Sequence, residues 1–363
     1  MNDLTTPQGV LAYLLNTSFA ATNVQRIVGG YSSFTYRITL SHPLEDGCTT
    51  LVLKHYEGYV AAAPAFKLDP TRSEFEYNAL VALWDAGLVN GDSVVQVPRP
   101  IYYDRETHSI FLADLGSDIV NLNDMFDDRL QGGVYSGPDL AENRNFASTI
   151  GSALGDFLGR LHRWSSFPEH REPFLHPHRQ EGLFRIFCDL AARSATKFGI
   201  KEEWLANMLA EELHKSSTED QVLAMGDFSL NNILVHRVLD HKNLRIYVID
   251  WELCRPACPE SDLGELIGTW LSFAHYRCVG KDFPFLPSFH DAYRKHHAVD
   301  RTRMTLQAGL YTMGLGTTAP WVRGGGDEIH KQITMLGYGL MKLAQGGDDC
   351  VTNTESPLKF LFN

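Results

Sequence analysis

Residues 225–235 read MGDFSLNNILV, the end of one apolar run and the start of another with Asp227, Asn231 and Asn232 in between. A hairpin turn is the simplest account, because Asp and Asn bond to their own backbone and sit well in turns. A second account starts from spacing. Asp227 and Asn232 stand in D-x-x-x-x-N, the arrangement in which a phosphoryl-transfer loop aims a carboxylate at an acceptor hydroxyl and an amide at a magnesium ion. Spacing alone does not choose between these accounts. The other parts of such a site, and their order along the chain, do.

Downstream, the apolar run of YVIDWEL (247–253) ends directly in Asp250, Trp251 and Glu252. Two carboxylates closing a buried strand repel one another unless a cation is present, and Mg²⁺ takes one or two carboxylates together with phosphate oxygens. The alternative is an Asp cap followed by a surface Glu. Upstream, Lys54 lies within the apolar LVLKHYE, where its charge must reach solvent or find a partner. The segment RSEFEYNALVALWDAG (72–87) has helical periodicity with Gly87 as a stop. Glu76 falls on the side that carries Ala79 and Leu83 and is preferred as that partner, with Glu74 as the competing choice. A lysine–glutamate pair of this kind sets an ammonium on the α- and β-phosphates of a nucleotide. Gly29 and Gly30, in VGGYSSFTYRI, lie where missing side chains and free N–H groups let a loop approach phosphate, although an ordinary glycine hairpin has the same look. Ser32 and Ser33 belong to the same turn.

Around these residues the chain reads in two styles. Val24–Gly30, Phe34–Leu40 and Thr49–Tyr56 carry strand signals and predict a small antiparallel sheet, with further strands in VQVPRPIYYD and SIFLADLG. Beyond Gly116 the pattern turns helical, over 150–164, 183–195, 201–215, 262–277 and 328–345, broken by a β island at 222–251. The expectation is an α+β, two-lobed protein-kinase-like fold, a β-rich lobe over 1–116 and a mostly helical one over 117–363. A chain of 363 residues exceeds the usual single core, and 44% hydrophobic with 21% charged residues suits a folded globular protein.

Composition also excludes. With 32 Lys and Arg against 44 Asp and Glu the net charge is −12, and no basic run offers a phosphate-backbone footprint, so nucleic acid is not expected as a partner. MNDLTTPQGVLAYLL lacks the positive start of a signal peptide, and no apolar run approaches the roughly 20 residues of a membrane span. A cytoplasmic location is expected, with no membrane partner and the oligomeric state left open. The six cysteines lack paired zinc spacing, and Cys254-R-P-A-Cys258 reads as a loop.

Taken in order, LVLK, EYNAL, FLADLG, FLGRLH, MGDFSLNNIL and VIDWE resemble the aminoglycoside phosphotransferase and choline kinase superfamily over nearly the whole chain. That resemblance implies ATP and Mg²⁺ as cofactors and a small-molecule hydroxyl as acceptor. Asp227 would orient or deprotonate the acceptor, Asn232 and Asp250 would ligate magnesium with Glu252 assisting, and Lys54 and Glu76 would set the triphosphate. The backbone of Ala113, Asp114 and Leu115 would meet adenine. The DWE form and the stretch that follows it are similar to the methylthioribose kinases and, closer still, to the fungal 4-hydroxytryptamine kinases. An amine-bearing acceptor such as 4-hydroxytryptamine is therefore expected first, with methylthioribose, choline or an aminoglycoside as alternatives. Trp270, Trp321 and Arg323 are the acceptor-side candidates. One departure is Met225, where many relatives place His before Gly-Asp.

Three other readings compete. A protein kinase needs an activation segment that the short loop between DWE and SDLGELIGTW does not provide. A kinase-like pseudoenzyme would have lost Lys54, Asp227, Asn232 or Asp250, and all four are present. A metal-dependent hydrolase accounts for the carboxylates and leaves Lys54 without a role.

Overall fold

Alternation along Phe34–Leu40 and Thr50–His55 sends Tyr36, Ile38, Leu40, Leu51 and Leu53 to one face, and that face is buried. The computed structural model describes residues 2–130, 140–215, 221–236, 244–280, 282–353 and 356–361. The chain divides into two units: Met1–Ile119 with Ile249–Leu253, and Val120–Val248 with Cys254–Asn363.

In the first unit, α1 (Pro7–Leu14) precedes β1 (Ala21–Arg26), β2 (Phe34–Leu40), β3 (Thr50–His55), α2 (Arg72–Asp85), the two-residue β4 (Val95–Gln96), β5 (Pro100–Asp104) and β6 (Ser109–Ala113). Five of the strands form an antiparallel sheet in the order β1-β2-β3-β6-β5. It is larger than the three-stranded sheet expected because the two later strand signals join it. Lys54 stands between Thr35 and Ile110 in this register. The first strand ends at Arg26, short of the expected Gly30. Gly29, at φ +125°, takes a backbone conformation outside the strand region. Helix α1 was not expected from the sequence. Thr6 caps it, its hydroxyl accepting from Gly9 N at 3.1 Å, and Pro7 opens it. Val10 and Leu14 then join Tyr36, Ile38, Leu51 and Phe111 in one core. Helix α2 closes with Gly87 at φ +66°.

The second unit is mostly helical. Its elements are α3 (Leu122–Leu130), α4 (Leu140–Ser165), α5 (Pro168–Arg171), α6 (Pro177–Lys197), α7 (Glu203–Lys215), α8 (Glu260–Tyr276), α9 (Phe285–Tyr293), α10 (Arg301–Met313), α11 (Gly326–Gln345) and α12 (Asp348–Val351). A short strand β7 (Ile119–Asn121) lies at the division, β8 (Val222–Ala224), β9 (Ile233–His236) and β10 (Ile246–Val248) supply the β island, and β11 (Arg255–Ala257) follows it. Strands β9 and β10 pair antiparallel with Leu234 opposite Tyr247. The CRPAC segment is a strand, not the loop expected: β11 pairs antiparallel with β8, Pro256 opposite Leu223. A two-stranded pair consists of edges, which tolerate a proline that a central strand would not.

Close packing of α4 on α9 depends on small residues. A Cβ at Gly151 would stand 2.2 Å from Phe285 O, and one at Gly155 would stand 2.0 Å from Phe289 O. Among the described residues no helix is long and apolar enough to cross a membrane.

Candidate active site

In the first unit, strand β3 carries Lys54 to a buried position, 7% exposed, facing α2. Its Nζ donates to both Glu76 oxygens at 2.8 and 2.9 Å and forms an ion pair with Asp250. Glu74 turns to Arg105 instead, at 2.7 Å. Burial pushes the Lys54 ammonium down. The charges of Asp250 and Glu76 overcome that and hold its ammonium above the usual lysine range. Burial pushes Glu76 upward, with Lys54 pulling back. The Tyr56 hydroxyl also donates to Glu76, and its ring lies 5.0 Å from the Arg72 guanidinium carbon.

Asp250 has φ +66°, a left-handed conformation that costs a non-glycine residue about 1–2 kcal/mol. The turn it makes leaves its carboxylate on Lys54 and directs Glu252 to Arg72, whose Nε donates to Glu252 Oε2 at 3.1 Å. The repulsion inherent in DWE is thus met by two cations of the chain itself. Arg72 was not among the residues singled out from sequence, where it reads as an ordinary residue at a helix start. It also donates to the Ser32 carbonyl at 3.1 Å, tying the glycine turn to this cluster.

That turn is shaped by Gly29 and Gly30. A Cβ at Gly30 would meet Thr35 Oγ1 at 3.0 Å, while Gly29 faces open space. Ser33 is buried with its hydroxyl 3.1 Å from that of Thr35, and the Ser32 hydroxyl reaches Glu252. At the far end of β6, Ala113 pairs with Leu51 and its N–H donates to Arg99 O at 2.9 Å. Asp114 is clamped by Arg37 through two bonds of 2.8 and 3.0 Å and accepts from Gly116 N at 3.0 Å. Leu115 follows in this braced segment.

In the second unit the loop after β8 is held mainly by its backbone. Asp262 accepts from Met225 N at 2.8 Å and Gly226 N at 3.0 Å, and Gly226 has φ +82°. Glu265, one helical turn on along α8, accepts from Phe228 N at 3.1 Å. Asn232 Nδ2 donates to Asp227 O at 3.1 Å, and Ser229 N donates to the same carbonyl at 2.9 Å. Every residue from Val222 to Leu230 is buried except Asp227, which is half-buried. Asp227 is the residue of this segment that solvent reaches.

Behind the loop, His162 of α4 contacts Asp262 through Nε2 at 3.2 Å and Tyr293 through Nδ1 at 2.8 Å. Burial pushes His162 down, with Asp262 opposing. A neutral imidazole here donates from Nε2 to the carboxylate and accepts the tyrosine hydroxyl at Nδ1. With Met225 before Gly-Asp, the loop is braced from α8 through Asp262 and Glu265, with His162 of α4 behind Asp262. Its sequence signal was the pair Asp262 and Glu265, three apart on a helix whose other residues through Trp270 are buried.

The acceptor-side candidates separate. Trp270 is buried against Phe126, Phe283 and Phe285, with ring centroids 5.2, 5.5 and 4.8 Å away. Trp321 is buried with Nε1 donating to Ser272 Oγ at 3.2 Å, and Arg323 is exposed. Among the described residues no group of three or more His, Cys, Asp or Glu side chains converges as a metal cluster.

Comparison with known proteins adds to this geometry. The sequence profile of the phosphotransferase enzyme family matches residues 23–304. The 4-hydroxytryptamine kinase of Psilocybe cyanescens is 27% identical over 354 residues, 92% of each chain. That of Psilocybe cubensis is 25% identical over 381 residues, 98% of each chain. Among solved structures, a spectinomycin phosphotransferase in complex with ADP and spectinomycin superposes with a TM-score of 0.51 at 14% identity, covering 98% of each chain, a likeness of fold.

Proposed function

The chain belongs to the phosphotransferase enzyme family, and we propose that it transfers the γ-phosphoryl group of ATP to a hydroxyl of an amine-bearing small molecule such as 4-hydroxytryptamine. ATP-dependent transfer to an alcohol group follows from the family and the kinase relatives; the acceptor is the new element of the reading. The observation that carries the site assignment is Asp227, a half-exposed carboxylate on an otherwise buried loop whose backbone is fixed by Asp262, Glu265 and Asn232.

In this reading Asp227 faces the acceptor hydroxyl. The acceptor oxygen bonds to the γ-phosphorus, the bond from that phosphorus to the β–γ bridging oxygen breaks, the hydroxyl proton passes to Asp227, and ADP leaves. Lys54, held by Glu76, places its ammonium on the α- and β-phosphates. The turn of Gly29, Gly30, Ser32 and Ser33 covers phosphate, and Ala113 to Leu115 meet adenine through the backbone. For a divalent ion, hard oxygen donors of the kind Mg²⁺ takes are the Asp250 carboxylate in the first unit and, separately, the side-chain oxygen of Asn232 in the second, whose Nδ2 is already committed to Asp227 O. The ion, when bound, supplies neutralisation of phosphate charge. Glu252 is committed to Arg72 and assists from outside that ligand set. On the acceptor side, exposed Arg323 is assigned to direct contact, while Trp270 and Trp321, both buried, are assigned to packing.

The test is ATP consumption with magnesium against 4-hydroxytryptamine, methylthioribose, choline and an aminoglycoside, following one added phosphoryl unit on the acceptor by mass. A phosphorylated product that falls by about 10²–10⁴-fold in Asp227→Ala is the expected result. Product from methylthioribose and from none of the nitrogen-bearing acceptors overturns the amine assignment, and product from choline or the aminoglycoside without product from 4-hydroxytryptamine overturns the indole example. Failure to bind ATP overturns the site.

A further inference from the structure

Glu265 is a buried carboxyl to which the transfer reaction just described assigns no role. It is fully buried on α8. Its Oε2 accepts the N–H of Phe228, the residue after Asp227, at 3.1 Å. Its Oε1 receives no hydrogen bond from any described donor, and the carboxyl lies within hydrogen-bonding reach of Asp227. Two ionised carboxylates so placed, the buried one with an oxygen that no described group donates to, would repel one another. A proton on Oε1 removes the conflict and turns that oxygen into a donor whose acceptor is Asp227.

Resting on the kinase reading of this site, we propose that Glu265 is a positioning residue: anchored by Phe228 N, it donates a hydrogen bond from Oε1 to the Asp227 carboxylate and fixes the orientation in which Asp227 meets the acceptor hydroxyl. The surroundings agree. Burial, then the negative charges of Asp227 and Asp262, push the Glu265 carboxyl well above the usual range, against the opposing charge of Arg255 from β11. Tyr311 of α10 faces the same carboxyl, and burial holds its phenol protonated. These surroundings favour the neutral form of Glu265, the form that can donate to the Asp227 carboxylate. A donor held in place before reaction fixes geometry without reorganisation, which is where positioning gains rate.

Glu265→Gln retains a neutral donor and an acceptor for Phe228 N, whereas Glu265→Met retains volume and loses the donor. With magnesium and ATP, and whichever of the four acceptors the wild-type protein phosphorylates, Glu265→Gln is expected to keep kcat within about threefold. Glu265→Met is expected to lose about 10–100-fold in kcat with the KM for ATP unchanged. The acid limb of kcat/KM should move to higher pH in Glu265→Met, because an Asp227 without its donor takes up a proton more readily, and stay in place in Glu265→Gln. A shift to lower pH in both variants would mean that a negative charge had been removed and overturns the proposal. So does a Glu265→Gln as impaired as Glu265→Met, or a Glu265→Met equal to wild type. Thermal melts of both variants register any loss of fold, which the glutamine variant is built to avoid. Absence of activity in the wild-type protein is the separate failure of the kinase reading.

Discussion

Replacing Arg72 by Met tests the cluster around the glycine turn most directly. The guanidinium is 3% exposed and donates to Glu252 Oε2 at 3.1 Å and to the carbonyls of Ser32, Glu57, Tyr59, Leu68 and Asp69 at 2.8–3.3 Å. Methionine fills much of the volume and supplies none of these donors. Glu252, itself 5% exposed, would be left as a buried carboxylate without its nearest cation. Stranding one member of a buried ion pair costs about 3–5 kcal/mol. The carbonyl losses do not add in full, since neighbouring groups relax together and water reaches some of them. A net loss of about 3–5 kcal/mol lowers the urea midpoint by roughly 1–5 M at an unchanged slope of about 1–3 kcal/mol/M. A double-mutant cycle with Glu252→Gln locates the cause: if the stranded charge dominates, Arg72→Met costs far less in the glutamine background. A midpoint for Arg72→Met within a few tenths of a molar of wild type, or an equal cost in both backgrounds, would refute the reasoning.

Lys54→Met should lower kcat by about 10²–10³-fold, the scale of losing one preorganised charge at the transferring phosphates, as read in steady-state ATP turnover. Folding stability should drop on acidification between pH 6.5 and 4 because of His290. Burial and the nearby Arg294 push its imidazole down to about 4, so the unfolded chain binds a proton there that the folded chain refuses, a difference of about 3 kcal/mol across the window. His290→Leu should flatten that slope in urea titrations at several pH values, and an unchanged slope would count against it. Gly155→Ala drives a methyl into Phe289 O, 2.0 Å from the ideal Cβ, and should cost about 1–3 kcal/mol in the same unfolding assay.

Much of the fold was legible because its signals are local. The period-two runs of β2 and β3, the helical period of α2 and the apolar strand running into Asp250 each depend on near neighbours in sequence, and each element forms where its pattern lies. Lys54 in an apolar strand and Glu76 on the inner side of the next helix are similarly decided, since a buried ammonium must have a counter-charge and the helix period selects which glutamate can offer it. The short elements were harder. An eight-residue helix such as α1 exists by virtue of its cap and its packing on the sheet, and β11 by the presence of β8 beside it.

Partnership across long sequence separations was decided only by the tertiary structure. Nothing in RSEFEY says that Arg72 meets Glu252, 180 positions away, so that the repulsion inherent in DWE is met from within the chain. Likewise, nothing in FLGRLH says that His162 backs Asp262, or that Asp262 and Glu265 hold the loop after β8 by its backbone. Sequence by itself determined the chemical types present and their order along the chain, because those follow from composition and spacing. Which charge neutralises which, and which carboxyl keeps its proton, depends on desolvation and on distances of about 3 Å, and those exist only once the chain has folded.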